Sequence, residues 1–234
     1  MTTSRTASEP IRAKTAEPSA QAGWAVSWWW SNVALTCVVA AVVVLLAASF
    51  ARRDLNVIDN SLSYYAIGPW WFLQTAAFLA IGGASAAVAI ALRASGIASR
   101  WRPVAIAALL VSAVASVGLM AFPMGGPGPA TFLGDMHQTA GTVGGVAQLV
   151  AALAFVLAIR EERDWQPLVL PASIAFALAL LGAVLTQMEI WWPHLGIPMG
   201  AAMRLVVVPL VVLWGLVALR LRGAARPTRW SAAT

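Results

Sequence analysis

Charged residues are scarce in this chain: 10% of its 234 residues are Asp, Glu, Lys or Arg, whereas a soluble domain carries about 25%. This scarcity excludes an ordinary soluble domain, and hydrophobic residues make up 60% of the chain. The short alternating segments of a membrane-spanning β-barrel are also absent. Because backbone polar groups inside lipid must be paired within the protein, the long apolar segments predict membrane-spanning helices.

Cysteine and histidine are nearly absent as well, which limits disulfide and metal chemistry. Cys37 is the one cysteine, so the chain forms no internal disulfide. The two histidines make neither a His-x-x-x-His nor a Glu-x-x-His pair, the spacings with which helices bind metals. We therefore predict no metal site and no cofactor. The alternative is a zinc site assembled from separate helices, with Asp135, His137, Glu189 and His194 as ligands.

Six apolar segments are long enough to cross a hydrocarbon core of about 30 Å. The predicted spans are Ser31–Phe50, Ile67–Leu92, Pro103–Phe122, Met136–Ile159, Leu168–Met188 and Pro198–Leu221. The fold class is therefore all-α, a polytopic membrane helical bundle. Residues 1–23 are predicted as a disordered tail, residues 24–222 as one six-helix transmembrane domain, and residues 223–234 as a second polar tail.

The positive residues predict the orientation of the bundle. An even number of spans places both tails on one side, and the tails and loops of that side carry twelve of the fifteen Lys and Arg. The other side has Arg52, Arg53 and Arg204. Because cytoplasmic flanks are enriched in positive residues, we predict a cell-membrane protein with both termini in the cytoplasm. No basic patch with interleaved aromatics occurs, so we predict no nucleic-acid partner.

The segment TFLGDMHQTAG, residues 131–141, places an acid, a histidine and an amide close together. In a helix, glycines align with His137, Gln138 and Gln148 on neighbouring stripes, and the other faces are apolar. Asp135 is two residues from His137 and does not share its face. Polar side chains inside a membrane tend to pair or to line a cavity. The segment is therefore either the polar packing face of a buried helix or part of a site.

Two further polar features lie at the predicted outer ends of the spans. Arg204 sits near the start of the last span, where it needs an anion or must reach the headgroups. Its predicted partners are Glu189, Asp135 or a lipid phosphate, and a structural ion pair between the last two spans is equally open. The first outer loop, which carries Ser63 and Tyr65, is the densest polar run outside the tails.

Three stretches, SLSYYAIGPWW, AFPMGGPGPATFLGDMHQTAG and GIPMGAAMRL, resemble the bacterial six-span membrane family called domain of unknown function 998. That family has a Ser-x-Tyr-x-x-Gly-like stretch at its second span, a Phe-Pro turn leading to Gly-x-x-His at its fourth, and an Arg early in its last. The matching residues are Ser63, Tyr65, Gly68, Phe122, Pro123, Gly134, His137 and Arg204. The resemblance covers roughly residues 30–222 and implies a fold without an established activity.

The family often carries an Asp soon after its Phe-Pro turn. This chain has Met124, Gly125 and Gly126 there. If that Asp carries the chemistry of the family, this chain has either lost it or uses Asp135 instead.

The first functional hypothesis is a polar pocket near the outer leaflet that binds a membrane lipid or a small amphiphile. The residues predicted to line it are Ser63, Tyr65, His137, Gln138, Glu189, His194 and Arg204. The paired halves of an alternating-access transporter are not visible in the sequence, which leaves simple binding open.

Two other hypotheses remain open. One is a membrane-embedded enzyme that acts on a lipid or isoprenoid-like substrate. There His137 would be the acid or base, Asp135 or Glu189 its partner, and Arg204 the group that holds a phosphate or headgroup. The other is an accessory subunit that stabilises a membrane protein partner.

Overall fold

The computed structural model describes residues 18–125 and 131–224, and across these residues the chain is helical with no strand. The long helices are α1 (Pro18–Ala51), α2 (Trp71–Arg93), α3 (Arg102–Ala121), α4 (Phe132–Ile159), α5 (Gln166–Trp191) and α6 (Met199–Ala224). Short 3₁₀ helices cover Leu62–Ala66, Arg163–Trp165 and Pro193–Leu195. All six long helices are long and apolar enough to cross a membrane. The prediction of an all-α bundle with six spans is confirmed.

Local sequence signals set several helix ends. At the start of α4, the Thr131 side chain accepts the backbone N–H of Gly134 at 3.2 Å, as N-cap threonines do. Asp135 lies in the first turn of α4, where a negative charge is favourable. Before α2, Gly68 has a φ of 89°, a backbone conformation that glycine adopts readily. This turn delays α2 to Trp71, four residues after the predicted start.

Helical structure extends into both predicted tails. Helix α1 begins at Pro18, within the segment of residues 1–23 that the sequence analysis assigns to the first tail. Proline is accepted in a first turn, and the alanines and glutamine that follow are good helix formers. Helix α6 continues to Ala224, past the predicted boundary at residue 223. The remaining tail predictions, for residues 1–17 and 225–234, lie outside the described residues.

The helices form a closed ring in which sequence neighbours pack as hairpins. Helix α1 packs on α2, α3 on α4 and α5 on α6, while α1 also packs on α6 and α2 on α3. Helix α2 is the most enclosed of the six. Helices α4 and α5 contact each other much less extensively than the hairpin pairs do. The ring is therefore loosest between α4 and α5.

The two ends of the bundle differ in packing. We call the end with the α2–α3 and α4–α5 connections the core end, because the main cluster of buried apolar residues lies there. That cluster includes Leu92, Leu109, Phe155, Ile159 and Trp214. The opposite end carries the connections α1–α2, α3–α4 and α5–α6, and we call it the loop end. Helices are thus held together mainly at one end.

Helices α5 and α6 approach each other most closely at Gly182. A Cβ atom placed on Gly182 would lie 2.7 Å from both the carbonyl oxygen of Ala202 and the backbone nitrogen of Val206. Real Cβ atoms do not come this close to backbone atoms. The absence of a side chain at this position therefore permits the observed contact, as small residues do between membrane helices.

Candidate functional site

A cavity of about 290 Å³ lies between the helices, toward the loop end. All six long helices contribute to its wall, which is mainly apolar and includes Phe78, Leu119 and Val207. Polar side chains occur at both ends of the cavity. His137, Ser63 and Gln138 lie on the loop-end side, and Gln148 lies deeper in the bundle. Apolar walls with a few polar groups are typical of ligand pockets.

The imidazole of His137 is held by two hydrogen bonds and is 2% exposed. Its Nδ1 lies 2.8 Å from the carbonyl oxygen of Phe122, and its Nε2 lies 3.0 Å from the Ser63 hydroxyl oxygen. A carbonyl oxygen only accepts, so in the neutral ring Nδ1 carries the proton and Nε2 accepts the hydroxyl of Ser63. The ring also packs edge-on against Phe78, with centroids 6.0 Å apart. Both nitrogens of the buried ring are therefore satisfied.

A second polar group lies deeper in the bundle around the buried side chain of Gln148. Its Nε2 donates to the hydroxyls of Ser85 and Ser112, both at 2.8 Å. Its Oε1 accepts the indole N–H of Trp214 at 2.6 Å. We call these four residues the Gln148 network. It joins α2, α3, α4 and α6 by hydrogen bonds in the interior of the bundle, where polar side chains hold membrane helices together.

The cavity opens to the surface between α4 and α5. Among its lining residues, those that are exposed at the molecular surface are Gln138, Thr142, Val146 and Ile190. The first three lie on α4 and the last on α5, the two neighbouring helices that pack least against each other. The opening therefore faces sideways from the bundle, toward the lipid in a membrane, rather than along its axis.

Arg204, in the second turn of α6, fastens the first loop to that helix. Its Nη1 donates to the carbonyl oxygens of Val57, Asn60 and Gly200, the last two at 3.2 and 3.0 Å. No carboxylate pairs with it, since the one ion pair within residues 18–125 and 131–224 is formed elsewhere. Backbone oxygens are thus the partners of Arg204, and neither Glu189 nor Asp135, the carboxylates predicted from the sequence, pairs with it.

Two further contacts strengthen this attachment. The guanidinium carbon of Arg204 lies 5.6 Å from the centre of the buried Tyr65 ring, a favourable cation–π arrangement. The backbone N–H of Ala201 donates to the carbonyl oxygen of Ile58 at 2.7 Å, which satisfies a free donor in the first turn of α6. Tyr65 and Arg204 contact each other but do not line the cavity.

The remaining predicted site residues have separate surroundings. Glu189 accepts the backbone N–H of Ile197 at 2.7 Å and so closes the α5–α6 turn. Asp135 is exposed at the start of α4, and His194 is exposed in the last 3₁₀ helix. Neither Asp135 nor Glu189 hydrogen-bonds to His137, whose partners are Phe122 and Ser63. Of the seven predicted pocket residues, the structure brings together Ser63, His137 and Gln138.

The predicted zinc alternative has no support in the described part of the chain. No three side chains from His, Cys, Asp and Glu come close enough there to hold a metal ion. The reason lies in the partners of two of these groups, because Glu189 accepts the backbone N–H of Ile197 and the two ring nitrogens of His137 contact Phe122 and Ser63.

The first loop also contains an ion pair. Arg52 and Asp54 lie 2.8 Å apart, and Arg52 additionally donates to the carbonyl oxygen of Ile67. The hydrogen bond from Arg52 lowers the pKa of the exposed Asp54 carboxyl. A lowered carboxyl pKa stabilises the folded state above the ordinary pKa of Asp, and this contribution is lost as the pH falls through the lowered value. Because Asp54 is exposed, water screens the pair and its contribution to stability is small.

The sequence analysis missed the Gln148 network as a unit. Gln148 was on the polar face assigned to α4, but Ser85, Ser112 and Trp214 lie on other helices, 36 to 66 residues away. One signal was available: an indole N–H inside an apolar span requires an acceptor, and the span that carries Trp214 offers no polar side chain near it.

Comparison with known proteins agrees with the resemblance found in the sequence. The family described as "Protein of unknown function (DUF998)" matches residues 35–220. These residues include parts of all six helices and every residue that lines the cavity. No curated protein and no solved structure matches the chain. The chain therefore belongs to the DUF998 family, and its six apolar helices make it a multi-pass membrane protein.

Proposed function

We propose that the protein binds an elongated amphiphile, a membrane lipid or a molecule like it, in the cavity between its helices. The observation that carries this proposal is the lateral opening between α4 and α5, which leads from the lipid-facing surface to an apolar space with polar groups at its loop end. Each methylene group that leaves water for such a space contributes about 0.8 kcal/mol. For a molecule already in the bilayer, selection comes instead from shape and from the polar groups.

The polar end of the ligand is assigned to the loop end of the cavity. The polar side chains toward that end include Ser63, His137, Gln138, Thr186 and Gln187, and Gln138 is exposed at the opening. With both termini in the cytoplasm, as the positive residues favour, this end faces the outer leaflet of the cell membrane. The ligand would then enter from that leaflet with its polar group at the headgroup level.

Filling the cavity provides the direct test of binding. Gly145 lines the cavity, and no atom lies within 4 Å of where its Cβ would be. We expect Gly145→Phe to place its ring in the cavity and to reduce co-purified lipid at least about tenfold, since the ring occupies the space of the ligand. Native mass spectrometry of the protein released from nanodiscs measures the bound lipid.

The matched control is Val143→Phe. Val143 is exposed on the same helix and does not line the cavity, so this variant adds the same ring to the lipid-facing surface. It should retain bound lipid at the level of the unchanged protein. Equal lipid occupancy in both variants, or no specifically bound lipid in the unchanged protein, would rule out the cavity as a lipid site.

A second candidate function is acyl transfer by Ser63. Its hydroxyl lies 3.0 Å from Nε2 of His137, and Nδ1 of that ring is fixed by the Phe122 carbonyl. This is the geometry in which a histidine activates a serine. The serine oxygen would bond to the acyl carbon of a lipid ester while its proton passes to Nε2. The ester C–O bond would then break, and the departing alcohol would take that proton.

Covalent labelling with a fluorophosphonate lipid analogue tests this candidate. An activated Ser63 should be labelled, and His137→Asn should slow labelling by about 100-fold or more, the usual contribution of a general base. Ser116→Ala is the control, because that hydroxyl also lines the cavity but contacts no histidine. A protein that stays unlabelled, or one whose label survives Ser63→Ala, is not an acyltransferase of this kind.

A further inference from the structure

We infer that the deep end of the cavity selects a ligand with a neutral oxygen group, a hydroxyl or a carbonyl, at its buried end. This inference rests on the proposed function and specifies the class of amphiphile. It comes from the hydrogen bonds of the Gln148 network, every member of which lines the cavity. The network leaves two hydrogen-bonding positions open, one acceptor and one donor, on residues that line the cavity.

The amide of Gln148 uses most of its hydrogen-bonding capacity within the protein. Both N–H bonds of its Nε2 are donated, to Ser85 and Ser112, and its Oε1 accepts Trp214. A carbonyl oxygen has two lone pairs. One lone pair of the Gln148 oxygen therefore remains for a further donor.

The serine hydroxyls around the amide are not equivalent. Ser85 accepts from Gln148 and donates to the carbonyl oxygen of Ile81 at 2.9 Å, so its proton is committed. Ser116, one turn beyond Ser112 on α3, donates to the carbonyl oxygen of Ser112 at 3.0 Å. Ser112 accepts from Gln148, and across the described residues its own proton has no acceptor. The deep end thus offers one donor, the Ser112 hydroxyl, beside one free lone pair.

Because the cavity wall has no charged side chain, the ligand group at the deep end is expected to be neutral. No Asp, Glu, Lys or Arg lines the cavity. A carboxylate, phosphate or ammonium group at the deep end would lie in a low-dielectric space without a counter-charge, which is strongly unfavourable. A hydroxyl fits both open positions, because it accepts from Ser112 and donates to Gln148.

The distance between the two polar ends of the cavity sets the expected length of the ligand. His137 and Gln148 are eleven residues apart on α4, which corresponds to about 16 Å along a helix. The wall between them is mainly apolar. An ordinary acyl chain would place its terminal methyl group against the Ser112 hydroxyl and leave that donor unpaired. The cavity therefore favours an extended neutral chain with oxygen at its far end over a plain acyl chain.

Two photoaffinity probes that differ in one group test this selectivity. The probes are hexadecanol and hexadecane, each with a diazirine at mid-chain, added to the full-length protein in phosphatidylcholine nanodiscs. Peptide mapping reports the labelling of cavity residues, and the measured quantity is the ratio of alcohol to alkane labelling. We expect a ratio of about ten in the unchanged protein, since one well-placed hydrogen-bonded pair is worth about one order of magnitude.

Two serine variants test whether the free hydroxyl of Ser112 causes the preference for the alcohol probe. Ser112→Ala should bring the alcohol-to-alkane ratio close to unity, whereas Ser116→Ala should leave it near ten. Both serines are buried, line the cavity and lie on α3, so the pair controls for loss of a small polar group. The ratio does not change with the amount of folded protein, which separates selectivity from a purely structural effect.

The outcomes are distinguishable from those of the proposed function. Equal labelling by both probes in the unchanged protein, or the same ratio in Ser112→Ala as in Ser116→Ala, overturns the inference and leaves amphiphile binding in place. If neither probe labels the cavity, and Gly145→Phe has no effect on bound lipid, both the inference and the proposed function fail.

Discussion

Gly182→Ala is expected to destabilise the detergent-solubilised protein by about 3 kcal/mol, at the upper end of the usual cost of overpacking. The added methyl group would meet the backbone of α6 at Ala202 and Val206, 2.7 Å away. Backbone atoms within a helix cannot move aside as a flexible side chain does. Helices α5 and α6 must therefore separate along their length, and thermal unfolding followed by tryptophan fluorescence measures the loss.

The control for this change is Gly223→Ala. Gly223 also lies in a helix, and its Cβ would have no neighbour within 4 Å. Alanine there should leave stability unchanged or raise it by up to about 1 kcal/mol, the difference in helix propensity. If Gly182→Ala and Gly223→Ala have equal stability, the close contact between α5 and α6 does not exist as described.

Arg204→Met should have the second-largest effect, a loss of about 2 kcal/mol, because a hydrogen bond to a charged group contributes about 1.5–3 kcal/mol. The substitution keeps the apolar stem but removes the donor shared by the carbonyl oxygens of Val57 and Asn60. The first loop should then detach from α6. Hydrogen–deuterium exchange should rise over residues 55–66 and remain unchanged at the core end.

Arg53→Met provides the comparison for Arg204→Met. Arg53 is an exposed arginine of the same loop, and the structure assigns it no hydrogen bond within the described residues. Its loss should alter neither unfolding nor exchange. If Arg204→Met instead leaves the loop protected while lipid binding falls, Arg204 acts on a headgroup and not on the loop backbone.

The sequence was sufficient for the global architecture because a bilayer imposes strong constraints on composition. Six apolar segments could only be helices, and the described residues form six helices that are long and apolar enough to cross a membrane. The placement of His137 toward the interior also followed from the pattern, since its face of α4 differed from the others. The helix boundaries were less predictable. Helix α1 begins at Pro18, and this start could not be predicted because a polar helix end outside the apolar segment has no hydropathy signal.

The hydrogen-bond partners of the polar residues could not be predicted from the sequence, for a physical reason. The sequence pointed to Glu189 and Asp135 as partners of Arg204 because carboxylates are the visible anions. The actual acceptors are backbone oxygens, which every residue carries and no sequence pattern reveals. The pairing of His137 with Ser63 spans 74 residues. It depends on how the first loop folds back over the bundle, which is a property of tertiary structure.

The position of α6 in the ring has a consequence for biosynthesis. This helix is the last of the six to leave the ribosome, and it carries both Arg204 and Trp214. Until it inserts, the Gln148 amide oxygen lacks its indole donor, and the carbonyl oxygens of residues 57 and 60 lack their guanidinium donor. The nascent chain therefore completes these contacts only after α6 has been made. A product truncated before α6 would leave the Gln148 amide oxygen without its indole donor inside the bilayer.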